Sequence, residues 1–479
     1  MKIKDKTCIV FDIEVLKNIF TCTCKNTETG VIKVFEISSR KVDIQDLLNY
    51  FTQDCYFVGY NNHHYDNPVL NYIFSLYRKR YFEFFSTREI TESIFRMSQI
   101  VIDKNSNFEL WKEYKYTKNF LSIDLLTMLF SKALRVSLKE MQVTMQYKNV
   151  EEFVVDWKQD LPEKDMDRLI SYNINDVEST EELLYRCEKL LDIRVETERD
   201  FGLPCLSLDR VNLGDKLLQL KVMQKSGFTR DQLENMKSPM DRIDLEKVIF
   251  PFIKFNTPVL QKALQDMKNQ HNVSPGRKGY INTFIFGGME VTIGVGGIHG
   301  DNGCCSIKCN EDELLLDSDV NSLYPSLIAV YELYPPKLKS ILKEVYPEII
   351  QERLEFKRTK QKNKNETYKY MLNGVTGKMQ QEVSWLYAPF SIMQVRINGQ
   401  LLLLMLAERL LDLGCKLYQI NTDGILYKIK KDKYDKLQQV LKEWEELTKL
   451  TLETEQFTSF YQLAINDYFG VESDGNIKK

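Results

Sequence analysis

Histidine is scarce in this chain, with four in 479 residues. Cys22-x-Cys24 and Cys304-Cys305-x-x-x-Cys309 bring no second ligand pair at zinc-finger spacing, so no zinc is expected. The ten cysteines are scattered and no signal-peptide pattern precedes them. That argues against a disulfide framework and points to a reducing, cytoplasmic compartment. No apolar run reaches the roughly 20 residues of a membrane span, so no membrane partner is expected. Leu401 to Leu404 is short and merges into a helical pattern ending near Gly414. An excess of either charge is also lacking, since 65 Lys and Arg face 68 Asp and Glu for a net charge of −3. No global basic field announces nucleic acid, although a local basic channel around acidic sites would cancel in the sum. Internal repeats are absent. What remains is an ordinary globular composition, 43% apolar and 28% charged, long enough for two to four units that each bury a core.

The most informative stretch is Leu314 to Ile328. Leu314-Leu315-Leu316 reads as a buried strand that delivers Asp319 to its end, where Pro325 and the polar residues before it turn the chain into a helix starting near Leu327. Asp319-Val320-Asn321-Ser322-Leu323-Tyr324-Pro325-Ser326 resembles motif A of family B DNA polymerases, Asp-x-x-Ser-Leu-Tyr-Pro-Ser.

The front of the chain carries its own acids. Cys8 to Glu14 reads as a buried strand, and residues i and i+2 of a strand share a face, so Asp12 and Glu14 point the same way. Two like charges on one face call for a cation between them. Phe57 to Asp66 reads as a strand entering a polar loop. Asp124 sits in an apolar setting, where it either belongs to a site or only caps and braces. His63-His64 reads as a solvated loop. Tyr172 and Asp176 share a helix face. The set Phe-Asp-Ile-Glu, Asn62-x-x-Tyr65-Asp66 and Tyr172-x-x-x-Asp176, in that order, resembles the three motifs of DEDDy 3′→5′ exonucleases, as in the proofreading domain of family B polymerases. The resemblance implies that Asp12, Glu14, Asp66 and Asp176 bind two metals. It implies that Tyr172 positions the attacking water, and that Asn62 and Tyr65 hold the 3′ end.

Downstream of motif A, Lys416 to Ile420 and Ile425 to Tyr427 read as a hairpin around Asn421-Thr422-Asp423-Gly424. It resembles motif C, Asp-Thr-Asp-Ser, with Asn421 for the first acid and Gly424 for the serine. The resemblance assigns two Mg2+ ions to Asp319 and Asp423, with Mn2+ able to substitute. Lys369-x-x-x-Asn373-Gly374-x-Thr376-Gly377 resembles motif B, with Gly374 for serine and Thr376 for tyrosine. Residues 352–369 hold seven Lys and Arg against three Glu. By resemblance this is the fingers hairpin, in which Arg353, Lys357, Lys369 and Asn373 meet the nucleotide. Lys360, Lys362 and Lys364 read as solvated. Tyr324 is expected beneath the incoming sugar, excluding a 2′-hydroxyl. The segment Gly294 to Gly300 resembles the Tyr-x-Gly-Gly linker between exonuclease and palm, without its Tyr, and places Gly296 and Gly297 near DNA phosphates. Asn466-x-Tyr468 resembles the Lys-x-Tyr motif at the primer strand.

The expected fold is α/β. A ribonuclease H-like exonuclease spans 1–190 and a connecting helical, palm-entry region spans 191–290. The palm, an antiparallel sheet with helices, spans 291–345 and 375–440, helical fingers span 346–374, and the palm end with a thumb stub spans 441–479. In the family a thumb follows Tyr468. With eleven residues left, the expectation is a chain cut short, a minimal thumb, or a thumb supplied in trans with other replication proteins. The resemblance implies DNA-templated DNA synthesis with proofreading, using primer–template DNA and dNTPs. The compactness of the gaps, 50 residues from Asp319 to Lys369 and 54 from there to Asp423, points to a phage or mobile-element replicase. The alternative is a 3′→5′ exonuclease whose polymerase half is degenerate and only clamps nucleic acid.

Overall fold

The run that ends in Asp12 and Glu14 forms β1 (Lys6–Leu16), a central strand of a six-stranded sheet in the computed structural model. Residues 1–479 are described except 132, 133, 135, 277, 278 and 479. By contacts the chain divides into two units, Met1–Leu213 with Thr359–Thr367, and Gly214–Arg358 with Tyr368–Lys479. The stretch expected as one connector, 191–290, is therefore split between them at Leu213. The expected thumb stub at 441–479 is described except for Lys479.

In the first unit β1 is followed by β2 (Ile19–Asn26), β3 (Ile32–Ile37) and β4 (Tyr56–Gly59). Helix α1 (Asp66–Arg78), β5 (Leu121–Asp124), α2 (Leu138–Thr144) and α3 (Glu163–Arg186) come next. The sheet order is β3-β2-β1-β4-β5, with Lys2–Ile3 pairing on β1. Strands β1, β3, β4 and β5 run in one direction, and β2, between β1 and β3, runs against them. Because β1 is covered on both faces, Cys8 to Phe11 are all buried. Parity then sorts them. Ile9, Phe11 and Ile13 join one core with Phe20, Phe57 and Val69, whereas Cys8 and Val10 join another with Val58, Ile123, Val177 and Leu184. Asp12 and Glu14 continue the second set, so they face the side that α3 covers.

The second unit carries β6 (Ile281–Phe286), β7 (Met289–Gly294), β8 (Gly297–Asp301), β9 (Cys305–Lys308) and β10 (Glu313–Val320). Helices α4 (Leu323–Val330), α5 (Lys339–Arg358), α6 (Lys362–Met379, whose residues up to Thr367 group with the first unit) and α7 (Pro389–Asp412) follow. Then come β11 (Lys416–Asn421), β12 (Gly424–Lys430), β13 (Leu452–Phe457), β14 (Ser459–Ala464), β15 (Asp467–Val471) and β16 (Ile477–Lys478). A seven-stranded antiparallel sheet has the order β13-β10-β12-β11-β8-β7-β6, and a four-stranded one β9-β14-β15-β16.

Helix α7 is long and apolar enough to cross a membrane, but 83% of its most apolar window is buried inside the protein, as suits a core helix against the large sheet. The basic stretch and motif B form an antiparallel helix pair. Tyr346 donates to the carbonyl of Leu372 at 3.4 Å, and the rings of Phe356 and Tyr368 lie 5.0 Å apart. The Gly-rich segment expected as a linker is instead the tight turn of the β7–β8 hairpin. Gly294 pairs with Gly297, whose φ of 133° a side chain would oppose, and Gly296 is exposed at the tip.

Candidate functional site

Two groups of carboxylates form, one in each unit. In the first, Asp12 and Glu14 leave β1 on one face, and directly across on β2 stand Thr23 and Thr21. Both hydroxyls are buried without a hydrogen-bond partner among the described residues. Asp66 opens α1, where the helix N-terminus favours a negative charge, and its carboxylate accepts from the backbone N–H of Ile13 at 3.2 Å. Asp176 comes from α3, and Asn173 one turn earlier donates to Asp12 at 2.6 Å. Four acids spread over more than 160 residues therefore meet. Burial, then repulsion from Asp66, Glu14 and Asp176, pushes the carboxyl of Asp12 well up. Burial, followed by Asp176 and Asp66, pushes Glu14 up to about 8. Burial raises Asp66 to about 7. Tyr172 lies on the same helix, its phenol raised by burial and then by Asp176 and Glu14. Tyr65 is raised by burial first and by Glu14 next, so it too borders the group.

Sequence reasoning missed Lys139. A capping box, Ser137 with Glu140, starts α2 and presents Lys139 and Gln142 on one face. Lys139 donates to Asp176 at 2.5 Å and lies 4.4 Å from the centre of the Tyr172 ring, while Gln142 donates to Asp176 at 3.0 Å. The Ser-x-x-Glu pattern foretells the helix, but nothing local foretells its neighbour.

Two expectations need correcting here. Asn62 does not open toward a ligand. It is fully buried, its amide 2.8 Å from the Ser122 hydroxyl, and it braces the loop between β4 and α1. His63 is half-buried rather than solvated, with Nε2 3.1 Å from Ser122 Oγ. Asp124 caps and braces, accepting from the backbone N–H of Asn61 at 3.1 Å, His63 at 3.0 Å and Thr127 at 3.2 Å.

In the second unit the register places Asp319 opposite Gly424 and ties the strand end to the motif C turn, since Val320 N–H donates to the Asp423 carbonyl at 2.8 Å. Asp319 and Asp423, 104 positions apart in the numbering, thus share one strand end. Burial and Asp423 push Asp319 up to about 6, and burial raises Asp423. Asp317, two residues earlier on the same face, is pushed up to about 7 by burial, Asp319 and Asp423. The same alternation that exposes the Asp12 and Glu14 pair marks Asp317. Among the described residues no side chain hydrogen-bonds or ion-pairs with any of these three carboxylates, and Asp423 accepts from its own backbone N–H. Gly424 leaves the room they use, because a Cβ there would stand 1.7 Å from Asp319 Oδ1 and 3.5 Å from Asp317 Oδ1.

Three non-glycine residues with left-handed backbone flank the acid-bearing turns, namely Asn61 (φ 63°), Ser322 (φ 51°) and Thr422 (φ 50°). Such strain persists where surrounding structure holds it, and clusters at functional sites. Tyr324, half-buried on α4, has its phenol raised by burial and opposed by the charge of Arg396. Arg353 Nη1 reaches to 3.4 Å from the Ser322 hydroxyl in the turn after Asp319. Lys357 and Asn373 are exposed, on α5 and α6, and Lys369 is half-buried on α6. Lys364, expected as solvated, forms an ion pair with Asp200 at 3.5 Å. Tyr468 stacks on Phe460 at 5.1 Å, and burial followed by Asp317, Asp319 and Asp423 raises its phenol, so it borders the acids. Asn421 and Asn466, the two departures from charged motif positions, bond to each other at 3.2 Å.

Both donor sets suit hard divalent cations, since carboxylates dominate them and the protein leaves much of the charge uncompensated. A third group, Asp244, Glu246 and His271, brings ligand atoms within 4.8 Å of one another and could also hold a cation. There Asp244 already caps a helix and accepts from His271 at 3.0 Å. The ten cysteines are free thiols, and Cys22 and Cys24 lie buried with sulfurs 3.8 Å apart.

No family model and no curated protein matches the chain. Among solved structures it is similar to the family B DNA polymerase from the hyperthermophilic archaeon Pyrobaculum calidifontis, with a TM-score of 0.50 and 16% identity. The similarity covers 98% of this chain and 59% of that one, so the chain spans about three-fifths of that polymerase's length. It establishes a shared, mixed α/β fold.

Proposed function

We propose that this chain is a DNA-templated DNA polymerase with a 3′→5′ exonuclease in its first unit. The observation that carries the reading is the double convergence of sequence-distant acids. Asp319 meets Asp423 at one strand end, and Asp12 and Glu14 meet Asp66 and Asp176 at another. The order β3-β2-β1-β4-β5, with β2 alone running against the other four, supports a ribonuclease H-like first unit of the DEDDy type. The antiparallel sheet that carries Asp319 and Asp423 supports a polymerase palm, and the α5–α6 pair supports fingers. Mg2+ or Mn2+ held by these carboxylates would polarise the phosphoryl centre for attack by a primer 3′ hydroxyl in one unit and by water in the other.

The chain's own groups do the rest. Arg353, beside the turn after Asp319, with Lys357 and Lys369, neutralises the triphosphate, and Asn373 meets the nucleotide. Tyr324 closes the space a 2′-hydroxyl would need. Lys139 holds Asp176 in place and orients Tyr172, whose high pKa keeps its proton available to position water. Tyr65 contacts the 3′ end, and Tyr468 the primer strand. Primer–template DNA and dNTPs are the substrates, and replication proteins or a thumb-bearing segment the partners. A phage or mobile-element replicase working in the cytoplasm fits the short spacing between motifs. A second reading, a nuclease with a degenerate polymerase half that clamps nucleic acid, is favoured by the uncharged Asn421–Asn466 pair.

Primer extension and 3′ trimming by the purified chain decide between them. Asp423→Ala should abolish extension and spare trimming, and Asp12→Ala with Glu14→Ala should do the reverse. Trimming without any extension by the unaltered protein would leave only the second reading.

A further inference from the structure

The palm site is one acid short of the motif it resembles, and Asn421 does not make up the loss. Its Nδ2 donates to the Ile465 carbonyl at 3.1 Å and to Asn466 at 3.2 Å, and its Oδ1 accepts from Thr422 at 3.1 Å. Both ends of the amide are spent inside the protein. Two carboxylates would then face two divalent cations in a half-buried setting, where uncompensated charge is costly.

The face of the sheet holds other acids. Directly opposite Asp319 on β13 stands Glu453, and opposite Asp317 stands Glu455. Both are engaged, Glu453 by Asn321 at 2.8 Å and Glu455 by Lys478. Asp317 has no such partner among the described residues. Parity puts it on the Asp319 face, and the missing side chain of Gly424 lets both carboxylates reach one small volume. The point a Cβ would occupy is 1.7 Å from one oxygen and 3.5 Å from the other. The serine of the resembled motif would fill that volume.

We infer that Asp317 supplies the third carboxylate for divalent cations in the palm, in place of the acid that Asn421 lacks, with Gly424 making the room. The inference rests on the polymerase reading for its purpose, but its chemistry is cation binding and can be measured by itself.

The test uses the full chain with Asp12→Ala and Glu14→Ala, which removes two of the first unit's four acids, and each variant is compared with this parent. Mn2+ binding is followed by the electron paramagnetic resonance of the free ion, single-nucleotide extension is timed across a Mg2+ titration, and thermal unfolding is recorded. Asp317→Asn should weaken Mn2+ binding about 10–100-fold, the range typical for residues that shape a metal site, without lowering the metal-free melting temperature. Extension should fall at low Mg2+ and recover in part at high Mg2+. Adding Asn421→Asp to Asp317→Asn should restore part of the affinity. If Asp317→Asn does not fold, Asp317→Ser is read the same way.

Mn2+ binding and Mg2+ dependence equal to those of the parent would overturn the inference while leaving polymerase activity intact. Weakened Mn2+ binding in a protein that never extends a primer would uphold the third ligand and overturn the polymerase reading.

Discussion

Adding one methyl group at Gly424 should separate catalysis from stability. In the native arrangement the Cβ of Gly424→Ala would stand 1.7 Å from Asp319 Oδ1. Ordinary contact begins near 3.5 Å, so the carboxylate has to retreat by roughly 1.5–2 Å. The oxygen is the end of a rotatable side chain, so it moves and the sheet stays. Gly424 is absent from the positive-φ glycines, so alanine suits its backbone. The folded state should be unharmed, and restricting the unfolded chain adds up to about 1 kcal/mol. Catalysis is less forgiving, because a shift of about 1 Å in a reacting group costs on the order of 10²-fold. That corresponds to a barrier about 2.7 kcal/mol higher. Gly424→Ala should therefore slow single-turnover incorporation about 100-fold or more, in the background lacking Asp12 and Glu14, with the melting temperature unchanged or slightly raised. Incorporation within threefold of the parent, with Asp319→Ala inactive, would refute the claim that Asp319 works from its place above Gly424.

Two further outcomes are expected. The carboxyls of Glu14 and Asp66 are pushed up to about 8 and about 7 in the folded chain, above the usual 4.5 and 3.8. The folded state then binds protons more tightly than the unfolded one, so this contribution to stability is full below about pH 4 and is lost as pH rises toward 8. In chelator, the urea midpoint should fall over that interval, less steeply in Glu14→Gln, and saturating Mg2+ should flatten the fall. A midpoint that rises with pH in the parent and not in Glu14→Gln would contradict the burial argument. Tyr324→Ala should admit ribonucleotides far more readily, read as the ratio of single-turnover incorporation rates for paired ribo- and deoxyribonucleotides. An unchanged ratio would remove Tyr324 from sugar selection.

Local pattern carried a large part of this protein. Alternation in Cys8 to Glu14 places Asp12 and Glu14 on one face of β1, and the apolar run before Asp319 becomes β10 with the acid at its end. Asn421-Thr422-Asp423-Gly424 forms the expected hairpin turn, and the basic stretch forms helices. These follow from period-2 and period-3.6 repeats and turn chemistry, which operate over a few residues. Asp317 was legible by the same rule but hidden behind a stronger neighbour.

Other features exist only once distant segments pack. Lys139 reaches Asp176 because α2 lies against α3, and a capping box says nothing about what a helix will touch. Asn62 is turned inward by Ser122, 60 residues away, so a motif position that reads as a ligand becomes a brace. Gly294 and Gly297 lie in a segment that reads as a linker and are a hairpin pair, because β6, β7 and β8 extend the seven-stranded sheet. The bond between Asn421 and Asn466, and the space above Gly424 that Asp319 and Asp317 share, depend on strand register across three segments. Sequence determines which residues can share a face. Register and packing, fixed by burying apolar surface from the whole chain, decide which faces meet.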